Sequence, residues 1–224
     1  MGDWLARTTV VVIFAVLTVL NIGGAYSALA EQEGATAPFI GLTIAARLSN
    51  ALFLALVAAT VLTRLRPIAK AGGVQPRVSA LLGTFLCTTL AVLPPAGLHV
   101  FWTTLSTLLI IAGASLAFVV LRWLGQSFSI MAEARALVTG GPYGLVRHPL
   151  YLAEELAAIG VLIQVFSPIA IAIFAAHLLL QVQRTRNEEK ILRSAFPEYA
   201  DYAARTPWLV PRWRIPAPRM ARVL

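Results

Sequence analysis

GGPYGLVRHPLYLAEELAAIG, residues 140–160, sets an arginine, a histidine and two glutamates against the first turns of an apolar helix. Gly140-Gly141-Pro142-Tyr143-Gly144 cannot be a regular helix interior, because glycine is conformationally loose and Pro142 has no amide to donate. Pro149 stands where a helix tolerates proline, in its first turn, so a helix starts there. The free amides of that turn and the helix dipole favour a negative or electron-rich group, and Arg147 and His148 add donors beside it. Basic residues before a membrane helix also anchor to headgroups, yet anchoring requires neither paired glycines nor the flanking Tyr143 and Tyr151.

The rest of the chain says which solvent this helix enters. Of 224 residues, 58% are hydrophobic and 12% charged, with a mean hydropathy of +0.78, far from an ordinary soluble domain. A bilayer core about 30 Å thick needs roughly 20 apolar residues per helical span, so the length allows several spans and one modest polar region. The net charge of +8 does not point to nucleic acid, because Lys and Arg fall between and after the apolar runs, as in any membrane protein. Cys87 lies alone in an apolar run and can build neither an internal disulfide nor a metal cluster. The alanine- and arginine-rich composition reads as bacterial, and the inner membrane is the expected location.

Apolar runs recur at Trp4–Leu29, Phe39–Leu62, Val78–Leu93, Val100–Leu124, Leu150–Phe166 and Ile169–Val182. The expected fold is all-α and polytopic, about six membrane helices, the last two a hairpin around Ser167-Pro168, followed by a short cytoplasmic helical tail. Arg64, Arg66, Lys70 and Arg77 follow the second run, whereas the loop near Glu31 and Glu33 has no basic residue; both termini are therefore expected in the cytoplasm. The segment 122–148 and the Arg-rich tail then share that side and can build one site. Arg7, Val10–Leu20 and Ala28-Leu29-Ala30 also resemble a cleavable signal peptide, but Trp4–Leu29 is long enough to span. Pro211–Pro218 reads as an extended end.

A second polar cluster, QVQRTRNEEKIL at 181–192, carries the sixth helix out of the membrane. His177, Gln181, Arg184 and Glu188 are spaced by four, three and four residues, which puts them on one face. Ionisable residues at a membrane boundary are costly and are usually paired or functional. Glu154 and Glu155 stand just inside the fifth helix and Arg47 with Asn50 inside the second, so a structural pairing of Arg47 with one of these glutamates is expected. No zinc-ligand spacing, GxGxxG fingerprint or phosphate loop is present.

Gly141-Pro142-Tyr143, then Arg147-His148-Pro149-x-Tyr151, then Arg184-x4-Glu189, then FPEYADYAARTPWLVP at 196–211, resemble in that order the isoprenylcysteine carboxyl methyltransferase family and its bacterial relatives. The resemblance implies a membrane enzyme that transfers a methyl group from S-adenosylmethionine. It divides the chain into N-terminal membrane helices at 1–98 and a methyltransferase-like core at 99–224. Carried over residue by residue, Tyr143, Arg147, His148, Pro149, Tyr151 and Glu188 line the cofactor site, and Arg184 and Glu189 are the catalytic pair toward the substrate's reacting group. Two positions depart from the family pattern. Ala153 stands where glycine is usual, and Phe196-Pro197-Glu198 replaces Phe-Gly, so Pro197 should end the preceding helix sharply.

A carboxylate acceptor is already ionised at pH 7, so its methylation is a problem of positioning rather than of base strength. Arg184 suits a bidentate hold on such a group, and Tyr143, Tyr151 or Trp208 offer faces for adenine or a cationic sulfur. The implied partners are membrane lipids and a lipophilic small-molecule or lipid-anchored acceptor, with a carboxylate favoured over a thiol or amine. The RHPLY segment also resembles NADPH-dependent membrane sterol reductases, which would need a larger dinucleotide pocket and usually more helices. A scaffold or transporter with structural Arg–Glu pairs is the other alternative.

Overall fold

The computed structural model describes residues 2–30 and 37–211; the loop with Glu31 and Glu33, and the proline-rich stretch from 212, lie outside the described residues. Seven α-helices are found among the described residues: α1 (Gly2–Ala30), α2 (Ala37–Thr63), α3 (Gln75–Phe85), α4 (Val100–Leu124), α5 (Pro149–Gln164), α6 (Pro168–Ala195) and α7 (Tyr199–Arg205). Proline takes the first turn of α3, α5 and α6, and Ser167 caps α6 by accepting the Ala170 amide at 3.2 Å. α1, α2, α4 and α6 are long and apolar enough to cross a membrane. The chain is an integral membrane protein.

The other two apolar runs fold differently from the expectation of plain spanning helices. Val78–Leu93 is not one α-helix: α3 stops at Phe85 and the chain continues as a 3-10 helix over Leu86–Val92. The Thr88 and Thr89 hydroxyls donate to the carbonyls of Phe85 and Leu86, each three residues back and at 2.6 Å, which suits the tighter coil. α5 has only 16 residues. Its C-terminal end is tied to the loop after the 3-10 segment by the Ala96 amide donating to Gln164 O at 2.9 Å.

The hairpin of the last two helices also needs correction. α6 does follow α5 after a short turn at Ser167, but α5 packs along α4 while α6 packs on α3. The reason lies in side-chain size. Apolar burial drives little helix association in lipid, so close backbone approach decides partners. Gly113 of α4 lies so near α5 that an added Cβ would sit 2.4 Å from the Ala157 amide nitrogen, and one on Gly160 would sit 2.6 Å from Ser106 O. Ala153, fully buried on the same seam, keeps that approach despite its methyl group.

α2 also packs against α4, and α1 against α2. Phe14, Val57, Val61, Ala117, Val120, Leu121 and Tyr143, with Leu150 and Ala153 of α5, form the main apolar core. A two-residue antiparallel ladder, β1 (Ala69–Lys70) with β2 (Glu133–Ala134), joins the loop after α2 to the segment after α4. Arg135, buried, bonds Leu65 O and Glu133 and locks the same junction. The basic loops therefore lie on one side.

Gly113→Val should force α4 and α5 apart, costing about 1–3 kcal/mol or more. Thermal unfolding in neutral detergent should show a clear loss of stability, whereas Gly23→Val, where an added Cβ meets nothing within 4 Å, should change it little.

Candidate active site

The segment 140–151 is held in place from three directions. Gly141 has φ +58° and faces the Trp123 ring so closely that a Cβ would lie 2.6 Å from it, so the left-handed backbone and the contact both demand glycine. A 3-10 turn, Gly141–Gly144, then leads to His148, the residue that precedes α5. From the C-terminal side, the Arg147 amide donates to Pro207 O at 2.9 Å, and the Tyr202 hydroxyl of α7 donates to Tyr143 O at 2.7 Å. Burial pushes the Tyr202 phenol up to about 12, which keeps it a neutral donor. Pro197 ends α6 as expected: Phe196 is extended at φ −128°, ψ 109°, and α7 follows.

The third hold comes from α6. His148 Nε2 lies 3.2 Å from Glu189 Oε1, and Arg147 Nε lies 3.1 Å from the same oxygen, an ion pair without hydrogen-bond alignment. Arg193 adds a longer contact to the other oxygen at 3.9 Å. One turn into α5, the Tyr151 hydroxyl donates to Glu188 Oε2 at 3.0 Å. The start of α5 and the polar end of α6 are thus clamped by two adjacent carboxylates pointing to different partners.

The stripe predicted on α6 continues this network inward. Arg184, 8% exposed, stacks over the Tyr151 ring at 5.0 Å and donates from Nη1 to Gln181 Oε1 at 2.7 Å. Gln181 in turn donates to Glu155 Oε1 at 3.0 Å, and His177 Nε2 lies 2.8 Å from the same atom. The pairing expected of Arg47 is therefore not with Glu155. A histidine and an amide on the adjacent helix reach that carboxylate, while Arg47 lies over Gly24 on α1. Room for Arg184 is made by Gly83 of α3, where a Cβ would fall 2.4 Å from Arg184 Cδ. Asn187 fastens α6 to α3 by donating to Ser79 Oγ at 3.1 Å. Neither Gly83 nor Asn187 was legible as a site element in the sequence, since nothing in α3 marks which helix it meets.

These groups open on one cavity of about 630 Å³. Its polar end is lined by Tyr143, Arg147, His148, Tyr151, Arg184 and Glu188, with His177 and Gln181 deeper. Pro149 is buried in the turn that carries them and does not line the cavity. Glu188 faces the cavity beside Arg184; Glu189, expected toward the reacting group, is instead engaged by Arg147 and His148 and is not part of the lining. Beyond the polar end the walls are mainly apolar, with Phe14, Leu54, Val57, Ala114 and Ala117 from α1, α2 and α4, and they also carry Asn21, Arg47 and Asn50.

Most of this machinery falls within residues 105–194, which match the isoprenylcysteine carboxyl methyltransferase (ICMT) family. Over that stretch the chain is similar to the ICMT family. It is 42% identical over 101 residues to the cobalt-zinc-cadmium resistance protein CzcN of Cupriavidus metallidurans, covering 45% of this chain and 46% of that one. It is also 40% identical over 81 residues to the nickel-cobalt-cadmium resistance protein NccN of Alcaligenes xylosoxydans xylosoxydans, covering 36% and 38%. The matches span less than half the length of either relative. The family domain contains α5, the site face of α6 and most of α4; the strap from α7 onward lies beyond it.

Tyr202→Phe removes only the bond to Tyr143 O and should cost about 1 kcal/mol. The expected readout is a small fall in melting temperature with faster tryptic cleavage after Arg205; unchanged cleavage would mean that the strap does not depend on this bond.

Proposed function

We propose that the protein is an S-adenosylmethionine-dependent methyltransferase of the bacterial inner membrane, with both termini in the cytoplasm and the acceptor drawn from the lipid phase. The observation that carries this reading is the convergence of Arg147, His148, Tyr151, Arg184 and Glu188 on one cavity, polar at one end and apolar beyond. In this topology α3 with its 3-10 extension, about 30 Å long, and α5 with about 24 Å also cross, giving six passages in all. Residues 1–98 then supply the lipid-facing wall of the cavity and 99–224 the methyl-transfer core.

The residues fit the cofactor. Glu188 offers a carboxylate for its ammonium, Arg147 and His148 offer donors for its carboxylate, and Tyr143, Tyr151 and Trp208 offer aromatic surface, Trp208 standing 6.4 Å from the His148 ring. The cavity volume lies within the roughly 300–1,000 Å³ of small-molecule sites. Bound there, S-adenosylmethionine would supply a methyl group on a positively charged sulfur.

The chain's own part is positional. Arg184 is aimed by Gln181 and backed by the Tyr151 ring, so its guanidinium is a preset fork for the acceptor, a carboxylate by preference. Glu188 stands beside it and would offset the positive charge of the donor. Glu189, acting with Arg184 in methyl transfer, does so by fixing Arg147 and His148 in their working positions. The metal-resistance names of the relatives open a physiological setting for this activity, but among the described residues no group of three His, Cys, Asp or Glu is placed to hold a metal ion.

A thermal-shift comparison tests the reading against the reductase alternative: S-adenosylhomocysteine should stabilise the detergent-solubilised protein and NADPH should not. Equal or reversed stabilisation removes the methyltransferase assignment. Within it, His148→Ala and Tyr151→Phe should weaken S-adenosylhomocysteine binding about tenfold with the fold intact, each losing a contact made at the cavity rather than in the apolar core. Arg184→Lys keeps the charge but loses the fork, so turnover on a panel of lipophilic acids should fall far more than cofactor affinity. Near-normal turnover in that variant would take Arg184 out of the reaction.

A further inference from the structure

Arg47 is a cation at membrane depth on the wall of the same cavity. It lies ten residues into α2, about 15 Å from the start of that helix. Phe39, Thr43, Arg47, Asn50, Leu54 and Val57, at steps of three and four residues, are the face of α2 that lines the cavity, so Arg47 belongs to the cavity side of its helix. Its Nε and Cζ lie where a Cβ on Gly24 of α1 would come within 3.3 Å, so the guanidinium packs against that glycine. One turn along, Asn50 Nδ2 donates to Asn21 Oδ1 at 3.1 Å, and Asn21 Nδ2 donates to Leu17 O at 2.9 Å. Both amides line the cavity.

Among the described residues, Arg47 has no acidic or hydrogen-bonding partner. Arg184, at the other polar station, has Gln181, Tyr151 and the nearby Glu188. An intramembrane arginine with no countercharge is unfavourable, and Arg47, exposed, is on the stripe of α2 that lines the cavity.

We propose that Arg47, with Asn21 and Asn50 beside it, is a second binding station that takes an anionic group, phosphate or carboxylate, carried by the methyl acceptor at a point remote from the methylated atom. The acceptor is then an amphiphile with two polar ends and an apolar middle, matched by Arg184 at one end, Phe14, Leu54, Val57 and Ala117 between, and Arg47 at the other. The link to methylation rests on the function proposed above, whereas anion binding at Arg47 does not. An acidic phospholipid presents the same chemistry, and the test separates the two sources.

The probe is dodecyl phosphate, added to full-length protein in neutral maltoside detergent and compared with dodecanol. Dodecyl phosphate should raise the melting temperature saturably and dodecanol should not. Arg47→Gln should weaken the dodecyl phosphate response about ten- to hundredfold, while Arg184→Gln retains it and S-adenosylhomocysteine affinity in Arg47→Gln stays at the wild-type value. Arg47→Leu should leave the ligand-free protein at least as stable as wild type, because an uncompensated charge has been removed. A dodecyl phosphate response that survives in Arg47→Gln, or a marked loss of ligand-free stability in Arg47→Leu, overturns the proposal. Stabilisation in nanodiscs of phosphatidylcholine with phosphatidylglycerol, but none by dodecyl phosphate, assigns the station to a lipid headgroup and also overturns it as an acceptor site. If S-adenosylhomocysteine fails to bind while the Arg47-dependent response persists, the methyltransferase reading falls and the anion station stands.

Discussion

The ion pair between Glu189 and the Arg147-His148 step is the contact on which the site depends. It ties a loop that cannot be helical, because of its glycines and prolines, to the end of a helix that can. Without it the start of α5 and the polar end of α6 would each present charge to the membrane boundary separately. With it, Glu188 is carried into the cavity on the next position of α6, and Tyr151 and Arg184 meet as a stacked pair. A charge that looks like an expense at the bilayer edge thus sets the geometry of Glu188, Tyr151 and Arg184 at the polar end of the cavity.

A second constraint is the close approach of α4 and α5. Gly113 and Gly160 let the two backbones touch, which holds α5 on α4 and leaves α6 to pair with α3. The gap between the α4–α5 and α3–α6 pairs is where the cavity runs, and α1 and α2 close its far wall. Gly83 performs the matching service on α3, giving Arg184 a place that no larger residue would allow. Small residues here create specific space for a large cation, a use of glycine distinct from its freedom in turns.

The relation between the polar stripe and the apolar walls is what lets the proposed function combine a water-borne donor and a lipid-borne acceptor in one cavity. The polar end lies beside the loops joined by the β1–β2 ladder and the α7 strap, and the apolar walls come from the membrane helices. In the proposed reaction, bringing these two environments into one space would leave methyl transfer mainly a matter of holding reactants in line.

The sequence by itself determined the membrane character, the all-α class, the start of α5 at Pro149, the end of α6 before Pro197 and the stripe of His177, Gln181, Arg184 and Glu188. These are local matters: composition chooses the solvent, proline fixes helix ends, and a period of 3.6 assigns faces. Only the tertiary structure decided which faces meet. The Ser167 turn read as a packed hairpin, because adjacency in sequence says nothing of the glycine seam that gives α5 to α4. Arg47 read as a partner for Glu154 or Glu155, because a sequence shows complementary charges but not the distances between helices; His177 and Gln181 were nearer to Glu155. The division of labour between Glu188 and Glu189 was hidden for the same reason. Successive residues on a helix point about 100° apart, and only the positions of α3 and α5 around α6 determine what each carboxylate meets.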